Sequence, residues 1–324
     1  MSPQATEDRL HIVAAVLVRR DGRVLATTRP EGRSMAGRWE FPGGKLEIGE
    51  SRWDGLLREL DEELGLQLLK GRPLIRLHHD YDGGPFVDLD VWRVNDWRGE
   101  PRAREAQQFD WFEPDALTGL DFLDANTPIV AAARLPDRYL ITPDERDHPD
   151  DIPAGVEVAA HSGVRLIQLR GAWLQSEKGP RLAAEAVERA RAQGAKVVVN
   201  GDPGLAGQCG ADGVHLPARH AIGLQKRPVA RPSLLGVSCH SERELRHAEA
   251  LGADFVTLGH VRPTPSHPDR PPLGLPRFLE LADSARLPVY AIGGMTPDDL
   301  PELHRHSIQG IAAIRALWPG ATRR

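Results

Sequence analysis

Three glutamates on one predicted helix are the residues in this sequence best suited to chemistry. Glu59, Glu62 and Glu63 are spaced at i, i+3 and i+4, so a helix carries all three on one face. Carboxylates at this spacing repel one another unless a positive charge lies among them. A hard divalent cation such as Mg²⁺ suits the group, because it takes oxygen ligands and keeps room for substrate phosphates. The cluster alone would also fit a solvated, charged helix face.

The helix that must position these glutamates has clear start and stop signals. Ser51, with Asp54 three residues later, is typical of a helix N-cap, and Gly65 is a natural residue at the C-terminal end. Apolar residues at helical spacing predict the buried face of the helix. They are Trp53, Leu56, Leu57, Leu60 and Leu64.

The residues around this helix complete a longer pattern with fixed spacing. It runs Gly44, five residues, Glu50, seven residues, Arg58-Glu59, two residues, Glu62-Glu63, one residue, Gly65. The stretch resembles the Nudix box, and the domain resembles the MutT branch of the Nudix hydrolases. The resemblance implies an α/β/α sandwich that cleaves a nucleoside diphosphate linkage. In the MutT branch the products are a nucleoside monophosphate and pyrophosphate.

The same resemblance implies roles for the residues of the box. Glu59, Glu62 and Glu63 would ligate Mg²⁺, with Mn²⁺ as an alternative, and one of them would act as the base. Glu50 would assist the metal site. Arg58 would pair with a carboxylate of the box and orient it.

Residues outside the box also resemble the MutT branch. Glu105, on a loop before a late strand, matches an additional metal-binding glutamate. Arg29 and Phe41 match residues of the base pocket, and Asn126 matches the asparagine that reads the edge of an oxidised guanine. An asparagine side chain offers both a hydrogen-bond donor and an acceptor. An 8-oxo group changes N7 of guanine from acceptor to donor, so such a site can discriminate oxidised from normal guanine. From position alone, Asn126 would also fit the N-cap of a predicted helix at 127–134.

Strands are predicted on both sides of the box helix. Apolar and β-branched runs indicate them at 11–19, 23–28, 74–79, 87–94 and 108–112. Gly43 and Gly44 lie in a predicted loop before the helix. Glycines would let this backbone pass close to a metal and a diphosphate, so both are candidate substrate-binding residues.

From residue 136 onward, strands and helical runs alternate. Eight strands are predicted near 139–142, 165–169, 196–200, 212–216, 233–238, 254–259, 288–292 and 310–314. Helical runs such as 179–193, 241–250 and 276–284 lie between them. Eight such units predict a (β/α)₈ barrel. The expected fold class is therefore α/β, with a sandwich domain at 1–135 and a TIM barrel at 136–324.

Polar residues follow the predicted barrel strands at their carboxyl ends, which form the functional face of this fold. Gln168, Arg170 and Asn200 are candidate ligand-binding residues at that face. Gly293 and Gly294 follow the seventh strand, where backbone N–H groups would suit a phosphate.

The second half of the chain, 137–319, resembles the thiamine phosphate synthase/TenI superfamily. The segments that carry the resemblance are 168–170, 210–216, 263–266 and 292–297. Ala172, Gly201 and His267 replace a lysine, an aspartate and a lysine of the synthase pattern. The chain is closer to TenI, the thiazole tautomerase branch, in which the histidine matching His240 moves protons. A histidine with a pKa near neutrality suits that role.

Composition limits the kinds of partner and compartment. The chain has 324 residues and a formal charge of −5, which gives no sign of nucleic-acid affinity. Two cysteines are too few for a disulfide framework, and no apolar stretch is long enough to span a membrane. We therefore expect a cytoplasmic protein whose partners are a nucleotide and, for the barrel, a phosphorylated thiazole-like ligand. Oligomer formation is left open.

The main hypothesis is a Mg²⁺-dependent 8-oxo-dGTP diphosphatase that cleans the nucleotide pool, fused to a TenI-like barrel. One alternative is that the Nudix domain hydrolyses thiamine-pathway diphosphates, since the barrel would bind the same class of compound. The barrel itself is either a thiazole tautomerase or a non-catalytic ligand-binding module.

Overall fold

In a computed structural model, the protein is described at residues 9–32, 34–80, 86–104, 107–144, 148–264 and 270–320. The chain divides into two compact units, Met1–Arg134 and Leu135–Arg324. No helix within these described ranges is long and apolar enough to cross a membrane. Cys209 and Cys239 are both buried free thiols.

The N-terminal unit contains seven described strands and two α-helices. They are β1 (Arg9–Leu17), β2 (Val24–Thr28), β3 (Trp39–Glu40), β4 (Gly43–Lys45), α1 (Arg52–Leu64), β5 (Gln67–Asp80), β6 (Phe86–Arg98), β7 (Phe109–Phe112) and α2 (Thr127–Arg134). The strands form one sheet in the order β4-β1-β6-β5 and another in the order β3-β2-β7. All the predicted strands are present, although β5 and β6 are longer than the sequence indicates.

Strand β1 lies between the two helices of this unit. Val13, Ala15 and Leu17 share a buried cluster with the leucines of α1. Ala14 and Val16 share a second cluster with apolar residues of α2. Because successive side chains of a strand point to opposite faces, a sheet between two helical layers results. The predicted α/β/α sandwich is confirmed.

The C-terminal unit is a closed barrel of eight parallel strands. The strands are β8 (Arg138–Ile141), β9 (Leu166–Leu169), β10 (Lys196–Asn200), β11 (Gly213–Leu216), β12 (Leu234–Cys239), β13 (Phe255–Gly259), β14 (Val289–Ile292) and β15 (Gly310–Ala313). The helices between them are α3 (Ile152–His161), α4 (Gly179–Ala192), α5 (Pro203–Gln208), α6 (Ala218–Ala221), α7 (Glu242–Ala250), α8 (Gly274–Asp283) and α9 (Leu300–Arg305). The strands pair in sequence order and β15 pairs with β8, which confirms the predicted (β/α)₈ barrel.

Aromatic side chains fill the barrel interior. Phe255 packs edge-on against Tyr139 and Tyr290, with ring centroids 5.3 Å and 5.6 Å apart. All three are fully buried in one cluster with apolar residues from neighbouring strands. The barrel is therefore a packed core, and its polar chemistry is confined to the strand ends and a few buried polar groups.

Candidate functional site

Helix α1 is capped at both ends as predicted. The Ser51 hydroxyl accepts a hydrogen bond from the backbone N–H of Asp54, and Gly65 ends the helix in a left-handed conformation, with φ 70°. Leu56, Leu60 and Leu64 are fully buried. Packing of this apolar stripe turns the glutamate face of α1 away from the core.

The guanidinium of Arg58 lies among the carboxylates of the box. Its Nε and Nη2 donate to the two oxygens of Glu50, both at 3.0 Å. Its Nη1 donates to Glu59 at 2.8 Å and to Glu62 at 3.2 Å. The predicted pairing of Arg58 with box carboxylates is therefore present. Arg58 therefore supplies part of the positive charge that the clustered carboxylates need.

This network shifts the ionisation of its members. Hydrogen bonds from Arg58, and then one from the backbone N–H of Glu47, lower the pKa of Glu50 against the opposing effect of burial. The bonds to Glu50 and Glu59 raise the pKa of Arg58. Of the three box glutamates bonded to Arg58, Glu62 is the most exposed, with 54% of its side chain accessible to solvent, against 14% for Glu50 and 15% for Glu59. The network therefore holds Glu50 as an anion and leaves Glu62 accessible to a ligand.

Two glycines bring strand β4 against the box carboxylates. The backbone N–H of Gly43 donates to the Glu63 carboxylate at 3.1 Å. A Cβ on Gly44 would lie 2.2 Å from Oε2 of Glu59, and one on Gly43 would lie 2.1 Å from the carbonyl oxygen of Val13. Both positions need glycine for close approach. The prediction of a loop here is wrong, because the segment pairs antiparallel with β1 as an edge strand.

The chemistry of the box fits a divalent cation. Glu59, Glu62 and Glu63 offer carboxylate oxygens, which are the ligands that Mg²⁺ prefers. The missing side chain at Gly44 lets the Glu59 carboxylate lie directly against strand β4. In the described part of the chain, no three Asp, Glu, His or Cys side chains are already gathered as a metal site. The proposed ligand set thus stays a prediction, and Glu105 lies outside the described residues.

The segment around residue 104 is anchored to the end of α1. The backbone N–H of Arg104 and the side-chain Nε2 of Gln107 both donate to the carbonyl oxygen of Glu63, each at 3.0 Å. Gln107 is buried. It was not among the predicted site residues, since a single glutamine before a strand carries no recognisable signal.

The residues predicted to bind a base are buried or half-buried in the N-terminal unit. Arg29 donates from Nη1 to Glu40 at 3.0 Å. Phe41 stacks on Phe122 with ring centroids 5.1 Å apart. Asn126 is 7% exposed and is the last residue of a short 3₁₀ turn that runs directly into α2. Asn126 therefore belongs to helical backbone that continues into α2. It is not a separate N-cap residue in front of that helix.

Arg38 was not predicted as a site residue, yet it anchors the segment beside Phe122. Its Nε and Nη2 donate to Asp121 at 3.1 Å and 3.0 Å, and Nη2 donates to Asp124 at 3.2 Å. Nη2 also donates to the carbonyl of Phe122. These partners are more than 80 residues away in sequence, so no local pattern could have identified them.

The predicted barrel residues on β9 and β10 come together. Gln168 is buried, and its Nε2 donates to Oδ1 of Asn200 at 3.0 Å. Arg170 is exposed just past the end of β9. Its backbone N–H donates to the hydroxyl of Thr142 at 2.9 Å, and its carbonyl accepts from that hydroxyl at 2.8 Å. The carboxyl ends of β9 and β10 therefore hold a bonded amide pair, and an exposed arginine follows β9.

His240 and the two glycines lie at other strand ends. The His240 side chain is 45% exposed, and its Nδ1 lies 3.2 Å from the Glu244 carboxylate. Gly293 and Gly294 have φ of +97° and +69°. A Cβ on Gly293 would lie 2.3 Å from Cβ of His260, so the tight turn after β14 depends on glycine.

A buried histidine that was not among the predicted site residues lies on β11. His215 is 1% exposed, its Nδ1 lies 3.1 Å from the Tyr139 hydroxyl, and its Nε2 lies 2.9 Å from the Ser238 hydroxyl. Burial and, secondarily, the charge of Arg170 lower the pKa of His215 to about 3. Its ring is therefore neutral at physiological pH.

Two different family models match the two compact units of the chain. The NUDIX domain model matches residues 9–133, and the thiamine monophosphate synthase model matches residues 138–317. The chain belongs to the thiamine monophosphate synthase family through its barrel and carries a Nudix hydrolase domain of MutT type before it. Nudix hydrolases generally use a divalent metal such as Mg²⁺. The resemblances to MutT-like Nudix hydrolases and to the thiamine phosphate synthase/TenI superfamily are confirmed, whereas the closer relation of the barrel to the TenI branch stays a prediction.

Some relatives match one unit, as the examples below do, whereas the thiamine-phosphate synthase of Gloeobacter violaceus (strain ATCC 29082 / PCC 7421) is 36% identical over 273 residues, or 76% of this chain and 76% of that protein. The CTP pyrophosphohydrolase of Escherichia coli (strain K12) is 36% identical over 120 residues, or 37% of this chain and 88% of that protein. The putative thiamine-phosphate synthase 2 of Aquifex aeolicus (strain VF5) is 33% identical over 180 residues, or 56% of this chain and 96% of that protein. A solved MutT structure, from work on Aliivibrio salmonicida and Vibrio cholerae, is 36% identical and covers 39% of this chain and 97% of its own, with a TM-score of 0.35.

Proposed function

We propose that the N-terminal unit is a Mg²⁺-dependent nucleoside triphosphate pyrophosphohydrolase, and that its substrate is 8-oxo-dGTP. The products would be 8-oxo-dGMP and pyrophosphate, which would keep an oxidised guanine out of DNA. The observation that supports hydrolysis is the cluster of Glu50, Glu59 and Glu62 around Arg58. Such clusters of ionised oxygens suit a metal-assisted attack of water on a phosphate.

Different residues of the box have different proposed roles in this reaction. When bound, Mg²⁺ supplies charge neutralisation for the phosphates and a lower pKa for water. Glu59, Glu62 and Glu63 would hold it, with Glu105 as a further ligand. Arg58 keeps Glu50 ionised and orients Glu59 through a hydrogen bond. Water attacks one phosphorus, the bridging P–O bond breaks, and a carboxylate of the box takes the proton of the water.

Base selection is proposed for Arg29, Phe41 and Asn126. The buried amide of Asn126 would lose a hydrogen bond with any base that presents the wrong edge, and an unpaired buried amide is costly. Phe41, stacked on Phe122, offers an apolar surface for a base. Nε of Arg29 is buried and has no acceptor among the described residues, which supports a contact with a substrate oxygen.

Steady-state kinetics with Mg²⁺ test this proposal. We expect kcat/KM to be highest for 8-oxo-dGTP, with pyrophosphate as product, and to fall about 100-fold or more in Glu62→Gln. Glu113→Gln is a matched control, because Glu113 also pairs with an arginine, at 2.9 Å, and lies outside the box. A similar loss in both variants would contradict the role given to Glu62.

A second candidate substrate is CTP. The Escherichia coli CTP pyrophosphohydrolase matches the Nudix unit at 36% identity, which favours a pyrimidine triphosphate. A higher kcat/KM for CTP than for 8-oxo-dGTP would identify CTP as the preferred substrate. The proposed metal-assisted hydrolysis would stay the same. Thiamine diphosphate belongs in the same series, because the fused barrel favours a thiamine-pathway compound.

For the barrel, we propose that the strand ends bind a phosphorylated thiazole-like ligand and that His240 transfers protons on it. Gly293 and Gly294 would receive the phosphate at their backbone N–H groups. Loss of tautomerase turnover in His240→Asn would support catalysis. His306→Asn is the matched control, since His306 is 44% exposed and pairs with a glutamate at 3.3 Å. Binding without turnover by the natural protein would instead support the non-catalytic module.

A further inference from the structure

A chain of four hydrogen-bonding side chains crosses the barrel interior. The Tyr139 hydroxyl lies 3.1 Å from Nδ1 of His215, and Nε2 of His215 lies 2.9 Å from the Ser238 hydroxyl. The Thr257 hydroxyl lies 3.4 Å from the same Ser238 oxygen. The chain begins at Tyr139 in the apolar core, reaches the partly buried Ser238 near the carboxyl end of β12, and ends at Thr257, which is buried in β13.

The tyrosine determines which nitrogen of His215 carries a proton. Tyr139 is fully buried, and among the described residues its hydroxyl has no hydrogen-bond partner besides Nδ1 of His215. A buried hydroxyl proton left without an acceptor is costly, so Tyr139 donates and Nδ1 accepts. Burial keeps the imidazole neutral, and a neutral ring has one N–H. That proton is therefore on Nε2, which donates to Ser238.

At the Ser238 end of the chain, one hydroxyl proton is left without an acceptor among the described residues. Ser238 and Thr257 carry two hydroxyl protons, and their mutual hydrogen bond uses one. The imidazole donates to Ser238, so it accepts neither proton. Thr257 is buried within β13, whereas Ser238 lies near the end of its strand. No acceptor in the described part of the chain takes the remaining proton.

We propose that Tyr139 and His215 are positioning residues that hold the Ser238 hydroxyl as a hydrogen-bond donor towards an acceptor atom of a ligand in the barrel mouth. The backbone opposite supports this arrangement. A Cβ on Gly236 would lie 2.5 Å from Nδ1 of His215 and 2.5 Å from a ring carbon of Phe255, so β12 omits a side chain where the imidazole lies. The ligand step rests on the proposed barrel function, whereas the tautomer does not.

The tautomer is measurable in the full-length protein without any ligand. Long-range ¹H–¹⁵N correlation of ¹⁵N-histidine-labelled protein distinguishes the two tautomers, and a His215→Gln variant assigns the signals. We expect His215 to be a neutral Nε2–H tautomer from pH 5 to pH 8. An Nδ1–H tautomer or an imidazolium in the natural protein would overturn the proposal without recourse to any tyrosine variant.

Two tyrosine variants separate positioning from packing. Tyr139→Phe should give a mixture of tautomers, because Nδ1 loses its donor. Tyr290→Phe is the matched control, since Tyr290 is equally buried in the same aromatic cluster but donates to the carbonyl of Pro136. It should leave the tautomer unchanged. An unchanged tautomer in Tyr139→Phe, or equal changes in both variants, would overturn the role of Tyr139.

Thiamine monophosphate is the probe for the ligand step. We expect Tyr139→Phe and Ser238→Ala to weaken its binding roughly three- to tenfold, the effect of one lost hydrogen bond, and Tyr290→Phe to leave it unchanged. Ser238→Thr, which keeps a hydroxyl, should restore binding. Failure of the natural protein to bind this probe would overturn the ligand step and the proposed barrel function while the tautomer result stands. Binding that is unaffected by Tyr139→Phe would overturn only the positioning role.

Discussion

Replacing Gly44 with alanine would place a methyl group where the Glu59 carboxylate lies. The new Cβ would be 2.2 Å from Oε2 and 2.5 Å from Oε1 of Glu59, whereas carbon and its neighbours pack best at about 3.5–4.0 Å. Gly44 is held in β4 opposite Val13, so the backbone has little freedom to retreat. The carboxylate must therefore move by more than ~1 Å and leave its 2.8 Å bond with Arg58.

The expected loss falls on catalysis more than on folding. Misplacing a reacting or metal-holding group by about 1 Å costs roughly 100-fold in rate. We therefore expect kcat/KM to fall about 100-fold, which is about 2.7 kcal/mol of transition-state stabilisation. The free energy of unfolding should change by less than about 1 kcal/mol, because the displaced atoms end a flexible side chain and alanine restricts the unfolded chain.

Pyrophosphate release and thermal unfolding together test this expectation. Release is measured on the triphosphate that the natural enzyme cleaves fastest, and unfolding is followed by tryptophan fluorescence. Gly119→Ala is the matched control, since a Cβ there would meet no atom within 4 Å. Activity of Gly44→Ala within about twofold of the natural enzyme would refute the placement of Glu59 at the reacting centre. An equal loss in Gly119→Ala would show that the effect is not local.

Three further predictions concern residues outside the box. Asp254→Ala should lower the free energy of unfolding of the barrel by about 3 kcal/mol, because this buried carboxylate pairs with two arginines and accepts a hydrogen bond from a backbone N–H of β12. Hydrogen-exchange mass spectrometry of barrel peptides would measure this loss of stability. A loss below about 1 kcal/mol would contradict the prediction. Arg38→Met should raise KM for the nucleotide roughly tenfold with kcat little changed, because the segment containing Phe122 and Asn126 loses its hydrogen bonds to the arginine. An unchanged KM in steady-state kinetics would refute a role of Arg38 in positioning this segment. The barrel should lose stability as pH falls from 6.5 to about 3, because unfolded His215 binds a proton over a range in which the buried ring stays neutral. The same exchange measurements with His215→Gln should show a weaker pH dependence, and an identical one would refute the assignment.

Local signals predicted much of the fold. The hydroxyl at Ser51, the glycine at Gly65 and the spacing of leucines between them act within one helix, so the boundaries of α1 could be read directly from the sequence. Apolar runs predicted all eight barrel strands to within one residue at each end. Buried parallel strands are continuous apolar segments, and that property does not depend on which strands they pair with.

Predictions that depended on distant partners were weaker. The sequence predicts a loop at Gly43 and Gly44 whose glycines pass close to a ligand, yet pairing with β1 makes the segment a strand. Arg38 carried no signal because its acceptors lie in another part of the chain. The sequence predicts that Arg58 pairs with one carboxylate of the box, whereas the structure shows that it contacts Glu50, Glu59 and Glu62 together.

The sequence by itself determined the box helix, the sandwich, the barrel and the set of residues that could do chemistry. These follow from residue spacing along one segment, where backbone geometry decides which side chains share a face. Only the tertiary structure decided which carboxylates Arg58 bonds, why Gly44 must lack a side chain, and which nitrogen of His215 holds its proton. Each of these depends on atoms brought within about 3 Å of one another by packing, and hydrogen bonds are sensitive to that distance.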